Sequence, residues 1–210
     1  MVKAGFWPFD GTAPPRSIGD MDVRELDRRA LAALDEIVRD LRPEDLTRRT
    51  PCEGWDLADL LRHQVSENHG FAIALRKGSA PDWHSGTLGE DAYRSYAASV
   101  EEYLNALDDD GLLDRQVTVG EFGAFPGHVA VSMHLVDSVA HGWDIAKSLG
   151  RPFEPDSEAL QAALRIAEQI PADPEFRLER GTFGAVVEVG AEASELDRFV
   201  ALLGRSPDWR

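Results

Sequence analysis

The sequence predicts a mostly α chain: an antiparallel four-helix bundle followed by a short C-terminal helical and extended appendage. Three observations carry this. Apolar residues recur at three- and four-residue intervals in four long stretches, helix start and stop residues bracket those stretches, and the modest connections between them place successive helices side by side. The chain accordingly divides into an irregular N-terminal arm (1–21), the bundle (22–150), and C-terminal helices with a short strand packed on it (151–210).

The arm carries Pro8, Pro14 and Pro15 and so reads as irregular, although Phe6, Trp7 and Phe9 could dock on the body or on a partner subunit. From Asp22, the positions Leu26, Ala30, Leu34, Ile37, Val38 and Leu41 repeat at helical spacing until Pro43. Asp56 is an N-cap for a second helix reaching Lys77 before Gly78. A loop with Trp83 and His84 precedes a third helix over 90–107, with Tyr93, Tyr96, Val100 and Leu104 on one face. Residues 116–125 mix Val117, Val119 and Phe122 with glycines, which suits a short extended stretch or hairpin. A fourth helix runs from Gly127 to Leu149 and is closed by Gly150 and Pro152. Asp156 opens a fifth helix to Ile170, and Ser194 with Asp197 opens a short sixth ending near Gly204. One short strand is expected over 183–189.

Composition narrows the function classes. At 210 residues and 43% hydrophobic content, the chain can bury one sizeable core. Its 38 acidic against 22 basic residues give a formal charge of -16, which repels phosphate backbones and anionic membrane surfaces. Nucleic acid and membrane partners are therefore set aside. With no apolar run of membrane-spanning length and no basic-then-apolar start, the expected location is the cytoplasm. The single cysteine, Cys52, excludes an internal disulfide and a multi-cysteine zinc site, so a metal would rely on histidines and carboxylates.

On the fourth helix, His134, Asp137 and His141 fall within an arc of about 60°, and most of the remaining circumference is apolar. Polar groups on such a buried helix must be hydrogen-bonded or metal-bound. Spacing alone favours a helix-stabilising contact or surface pair for Asp137 and His141 over a metal pair. His63, at the edge of the second helix's apolar face beside Leu60 and Phe71, reads by itself as a boundary histidine. His134 is a candidate fourth ligand, ligand partner or general base, with a plain hydrogen-bonding role as the alternative. Glu67 could orient His63, or face solvent. Trp55 and Trp143 are read as walls of the site or helix packing, Cys52 as a turn or packing residue, and His69, His84 and His128 as solvated.

Two segments carry a resemblance: Thr50-Pro51-Cys52-Glu53-Gly54-Trp55-Asp56 with Leu60-Leu61-Arg62-His63, and Asp137-Ser138-Val139-Ala140-His141-Gly142-Trp143-Asp144. They resemble the mycothiol-dependent maleylpyruvate isomerase family, within the broader DinB-like metal-binding bundles. The tail, from Phe183-Gly184-Ala185 to Leu202-Leu203-Gly204-Arg205-Ser206-Pro207, is similar to an actinobacterial metal-binding branch. The resemblance implies a DinB-like bundle whose metal ligands map onto His63, Asp137 and His141. The isomerase has glutamate where this chain has Asp137. A set of two histidines and a carboxylate suits zinc and also accepts nickel or iron. The resemblance further implies mycothiol as cosubstrate. In the isomerase a C-terminal domain supplies a basic residue for the substrate; here Arg198 or Arg205 could act so, or be surface residues.

The leading expectation is a thiol-dependent transferase or isomerase acting on a small electrophile. Alternatives are a metal-dependent hydrolase with His134 or Asp144 as proton shuttle, and a non-enzymatic metal-binding or stress-response module whose aromatic arm joins a homodimer.

Overall fold

Capping residues set the helix boundaries in the computed structural model, which describes residues 17–18, 21–180 and 183–210. A short antiparallel ladder, β1 (Ser17–Ile18) with β2 (Met21–Asp22), leads into α1 (Val23–Val38), where the Asp22 carboxylate accepts from the Arg24 N–H. α2 (Leu57–Lys77) begins at a reciprocal box: Asp56 accepts from the Asp59 N–H and Asp59 from the Asp56 N–H. Gly78 ends it in the left-handed conformation, and Arg76 and Lys77 complement the negative end of the helix dipole. α3 (Ala92–Leu107) starts at Asp91. β3 (Gln116–Val119) and β4 (Gly123–Pro126) form an antiparallel hairpin that feeds α4 (Gly127–Leu149), itself closed by Gly150. α5 (Ser157–Ala167), α6 (Pro174–Arg180) and α7 (Glu195–Leu202) follow. The described chain is mostly helical, and none of its helices is long and apolar enough to cross a membrane.

α4 lies at the centre, packed on α1, α2 and α5, while α2 also packs on α3 and α5 on α7. Leu26, Leu34, Leu60, Leu61, Leu75, Val131, Leu135 and Val139 are fully excluded from solvent between these helices. α4 is buried along almost its whole length, so each of its polar groups needs a partner inside the protein.

The structure revises several expected elements. α1 ends at Val38, and Pro43 opens a separate 3-10 turn (Pro43–Thr47). The fifth helix stops at Ala167, and α6, a seven-residue helix, was not anticipated. Residues 183–189 form no strand: the Val187 N–H donates to Ala201 O in α7, and no described strand lies alongside to complete a ladder. The aromatic trio Phe6, Trp7 and Phe9 lies outside the described residues.

Candidate metal centre

His63 stands in the second turn of α2, and Asp137 and His141 stand one turn apart on α4, where the two helices touch. Asp137 Oδ1 is 3.5 Å from His63 Nε2 and 3.3 Å from His141 Nε2. One donor atom from each of the three lies within 4.8 Å of the others. Tetrahedral ligands at zinc–nitrogen distances sit roughly 3.3–3.4 Å from one another, so this spacing and this donor set fit a divalent ion.

Neighbours orient each donor. Gln64 Nε2 donates to Asp137 Oδ2 at 2.7 Å, which leaves Oδ1 turned toward the imidazoles. His141 Nδ1 donates to Asp144 Oδ2 at 2.9 Å, which leaves Nε2 as the nitrogen that can offer a lone pair to a metal once it gives up its proton. Asp144, fully buried, also accepts from Arg205 Nη2 at 3.1 Å and from the Cys52 thiol at 3.4 Å. A carboxylate behind a ligating histidine is the usual support of a metal site.

Burial works against charge at this centre, and the partners overcome it. It would push the Asp137 carboxyl up, but the His141 and His63 imidazoles hold it well below the usual carboxylate range. Burial likewise disfavours the His141 imidazolium, yet Asp137 and then Asp144 raise its pKa well above the ordinary value. Asp144 is held down, against its burial, by Arg205 and His141. Glu67 Oε1 stands 3.8 Å from His63 Nδ1, and burial, followed by the Asp137 charge, pushes its carboxyl up to about 8.

The three residues line a cavity of about 990 Å³. Its walls include Trp55, Glu67, Phe71, Phe122 and Met133 from the helical body, and Arg177, Phe183 and Arg205 from the C-terminal segment. Trp55 tilts against His63 with ring centroids 5.2 Å apart. Gly204, at φ 85°, meets Gly184 so closely that an added Cβ would lie 2.5 Å from the Gly184 Cα. That contact draws two C-terminal strands of chain together at the cavity edge. Cys52, His141 and Asp144 form a second group of potential ligands. In that group Asp144 is already neutralised by Arg205, whose positive charge opposes a cation.

Other expected residues are placed differently. His134 is not brought to the cavity: it is 1% exposed, its Nδ1 lies 3.0 Å from Asp27 and its Nε2 3.0 Å from Asn68 Oδ1. Both ring nitrogens are occupied, an arrangement that matches the plain hydrogen-bonding alternative. Trp143 is buried away from the cavity beneath Lys147. Arg205 reaches the site, whereas Arg198 stays exposed outside it. His69, expected to be solvated, pairs with Glu102 at 2.7 Å, and His128 bonds Leu113 O. Sequence reasoning missed Arg177 and gave Gln64 no role; a polar residue next to a ligand on a buried helix face was the only available signal for Gln64.

Comparison with known proteins agrees with this geometry at family level. Two proteins of Mycobacterium tuberculosis, uncharacterized protein Rv0738 of strain H37Rv and uncharacterized protein MT0763 of strain CDC 1551, are each 26% identical over 190 residues, 89% of this chain and 99% of their own length. No solved structure matches. Residues 28–146 match the family described as mycothiol maleylpyruvate isomerase N-terminal domain, and that span contains α2 and all but the last three residues of α4, with His63, Asp137 and His141. The chain belongs to that family.

Proposed function

We propose that the protein binds one divalent metal ion, zinc by preference, through His63, Asp137 and His141, and uses it in thiol-dependent transfer to, or isomerisation of, a small electrophilic substrate. The carrying observation is that two imidazole Nε2 atoms face the same Asp137 oxygen at 3.3 and 3.5 Å on the wall of a cavity of about 990 Å³. Three protein ligands beside an open cavity suit catalysis better than a closed structural site. In this reading α1–α4 are a DinB-like antiparallel bundle (22–150), residues 1–21 an arm, and 151–210 an appendage that closes the cavity. Family membership supports mycothiol as the thiol.

A divalent ion at these ligands would lower the pKa of a thiol entering the cavity. The chain's own residues do the rest. Asp144 holds His141 by its Nδ1, and Gln64 holds Asp137 by its Oδ2. Glu67, on the cavity wall beside His63, is placed to take the thiol proton. Phe71, Phe122 and Met133 exclude water from the reacting groups. Glu67 also keeps a hydrolytic reading in play, with water in place of the thiol, because His134 and Asp144 are tied up elsewhere. Titrating a small thiol into cobalt-loaded protein tests the choice. A new thiolate-to-cobalt absorption band, absent in His141→Ala, is expected; no spectral change with any thiol, together with ester turnover lacking thiol, contradicts it.

A further inference from the structure

Among the described residues, Arg177 is a charged side chain without a charged partner. It sits in α6, is only 2% exposed, and lines the same cavity as His63, Asp137 and His141. Three of its five N–H groups are spent on backbone carbonyls: Nε on Pro171 O at 2.8 Å, and Nη1 on Gly184 O at 2.8 Å and Leu202 O at 2.7 Å. Nη2, with two N–H groups, is buried and has no hydrogen-bond partner among the described residues. No carboxylate stands within ion-pair distance of it among the described residues, and burial alone lowers its pKa. Arg205, the other cavity arginine, is different: Asp144 already neutralises it.

Carbonyl dipoles hold a guanidinium in place but leave its net charge uncompensated, and a buried unpaired charge is costly. The three carbonyls come from the chain before α6, from Gly184 and from the end of α7, so the side chain is pinned with its free end unspent. A carboxylate would supply both the missing acceptor and the missing negative charge.

We propose that Arg177 Nη2 receives a carboxylate of the molecule that occupies this cavity, so that the protein's substrate, or a thiol used in place of the carboxylate-free mycothiol, is an organic acid anchored at one end by Arg177. This rests on the reading that the cavity is the reaction site, and it names the chemical class of what enters.

The test uses two probes, succinate and 3-mercaptopropionate, on zinc-loaded and on metal-free full-length protein. Calorimetry measures affinity, and the guanidinium ¹⁵N resonances of Arg177 report contact directly. Binding should shift those resonances, and Arg177→Gln should weaken binding roughly 10- to 150-fold, the worth of a hydrogen bond to a charged group. Arg205→Gln should change it far less. Loss of succinate binding places the carboxylate on the substrate, and loss confined to 3-mercaptopropionate places it on the thiol; both outcomes support the proposal. Should Arg177→Gln fail to fold, the wild-type resonances still decide. Unmoved Arg177 signals at tens of millimolar of both probes, or equal affinity in the folded variant, would overturn it. Failure to take up zinc would sink the metal chemistry while leaving the metal-free arm readable.

Discussion

His134 and His141 lie two turns apart on one face of α4, both buried and each beside an Asp, yet their surroundings differ completely. Around His134, three helices close in: Asp27 of α1 and Asn68 of α2 take the two ring nitrogens, and Tyr103 of α3 stacks on the ring at 3.7 Å. The Tyr103 hydroxyl donates to Asp27, and Asn68 Nδ2 donates to Ser99 Oγ, so the network is closed on itself. Around His141, only one ring nitrogen is spent, on Asp144; the other faces Asp137, His63 and the cavity. A helix face sets where a histidine points. The neighbouring helices decide whether it becomes saturated or keeps a lone pair for a ligand.

The largest effect expected from this contrast lies at the saturated end. Asp27→Ala leaves the Tyr103 hydroxyl buried without an acceptor and His134 Nδ1 with only Ser138 Oγ at 3.4 Å, and should cost about 3–5 kcal/mol in urea denaturation. Metal content of the folded protein should stay unchanged; loss of metal would blur the distinction between the two ends. His63→Ala should do the reverse. Stability of the metal-free protein should change by about 1 kcal/mol or less, because His63 is partly exposed, while bound metal disappears.

Asp144→Asn tests the support behind His141. Competition against a chelator should show metal affinity about 10- to 100-fold weaker, with full occupancy restored at saturating metal. pH should separate the two forms of the protein. His141 has a folded pKa raised well above 6.5, so its contribution to metal-free stability is complete below about 6.5 and is lost as pH rises through the folded value. Metal must displace that proton, so affinity should climb with pH over the same range, about tenfold per unit. A pH-independent affinity would place the metal away from His141. Gln64→Leu, which frees Asp137 Oδ2, should weaken metal only about fivefold.

Local signals explain what was legible in the sequence. Both ends of α2 and the end of α4 could be read because Asp56, Gly78 and Gly150 act within one turn of themselves. That Asp137 and His141 share a face was visible as i, i+4 spacing, but reading them as ligands needed motif context, as did His63, which arrives from another helix. The choice between the roles open to His134 was not legible, because its partners, Asp27 and Asn68, are 107 and 66 residues away. The strand expected at 183–189 failed for a related reason: apolar β-branched residues invite a ladder, but among the described residues no neighbouring strand accepts one. Arg177 carried no signal, because backbone carbonyls, which every residue has, and the lack of an acid among the described residues define it.

The central claim is that the open end of this polar face, unlike the closed one, holds a metal. Elemental analysis of purified protein, before and after incubation with zinc, nickel and iron, tests it most directly in wild type, His63→Ala, Asp137→Ala and His134→Gln. About one ion per chain in wild type and in folded His134→Gln, lost from the other two variants, is the predicted result. A wild-type protein that takes up none of these metals, or variants that retain them fully, would contradict it.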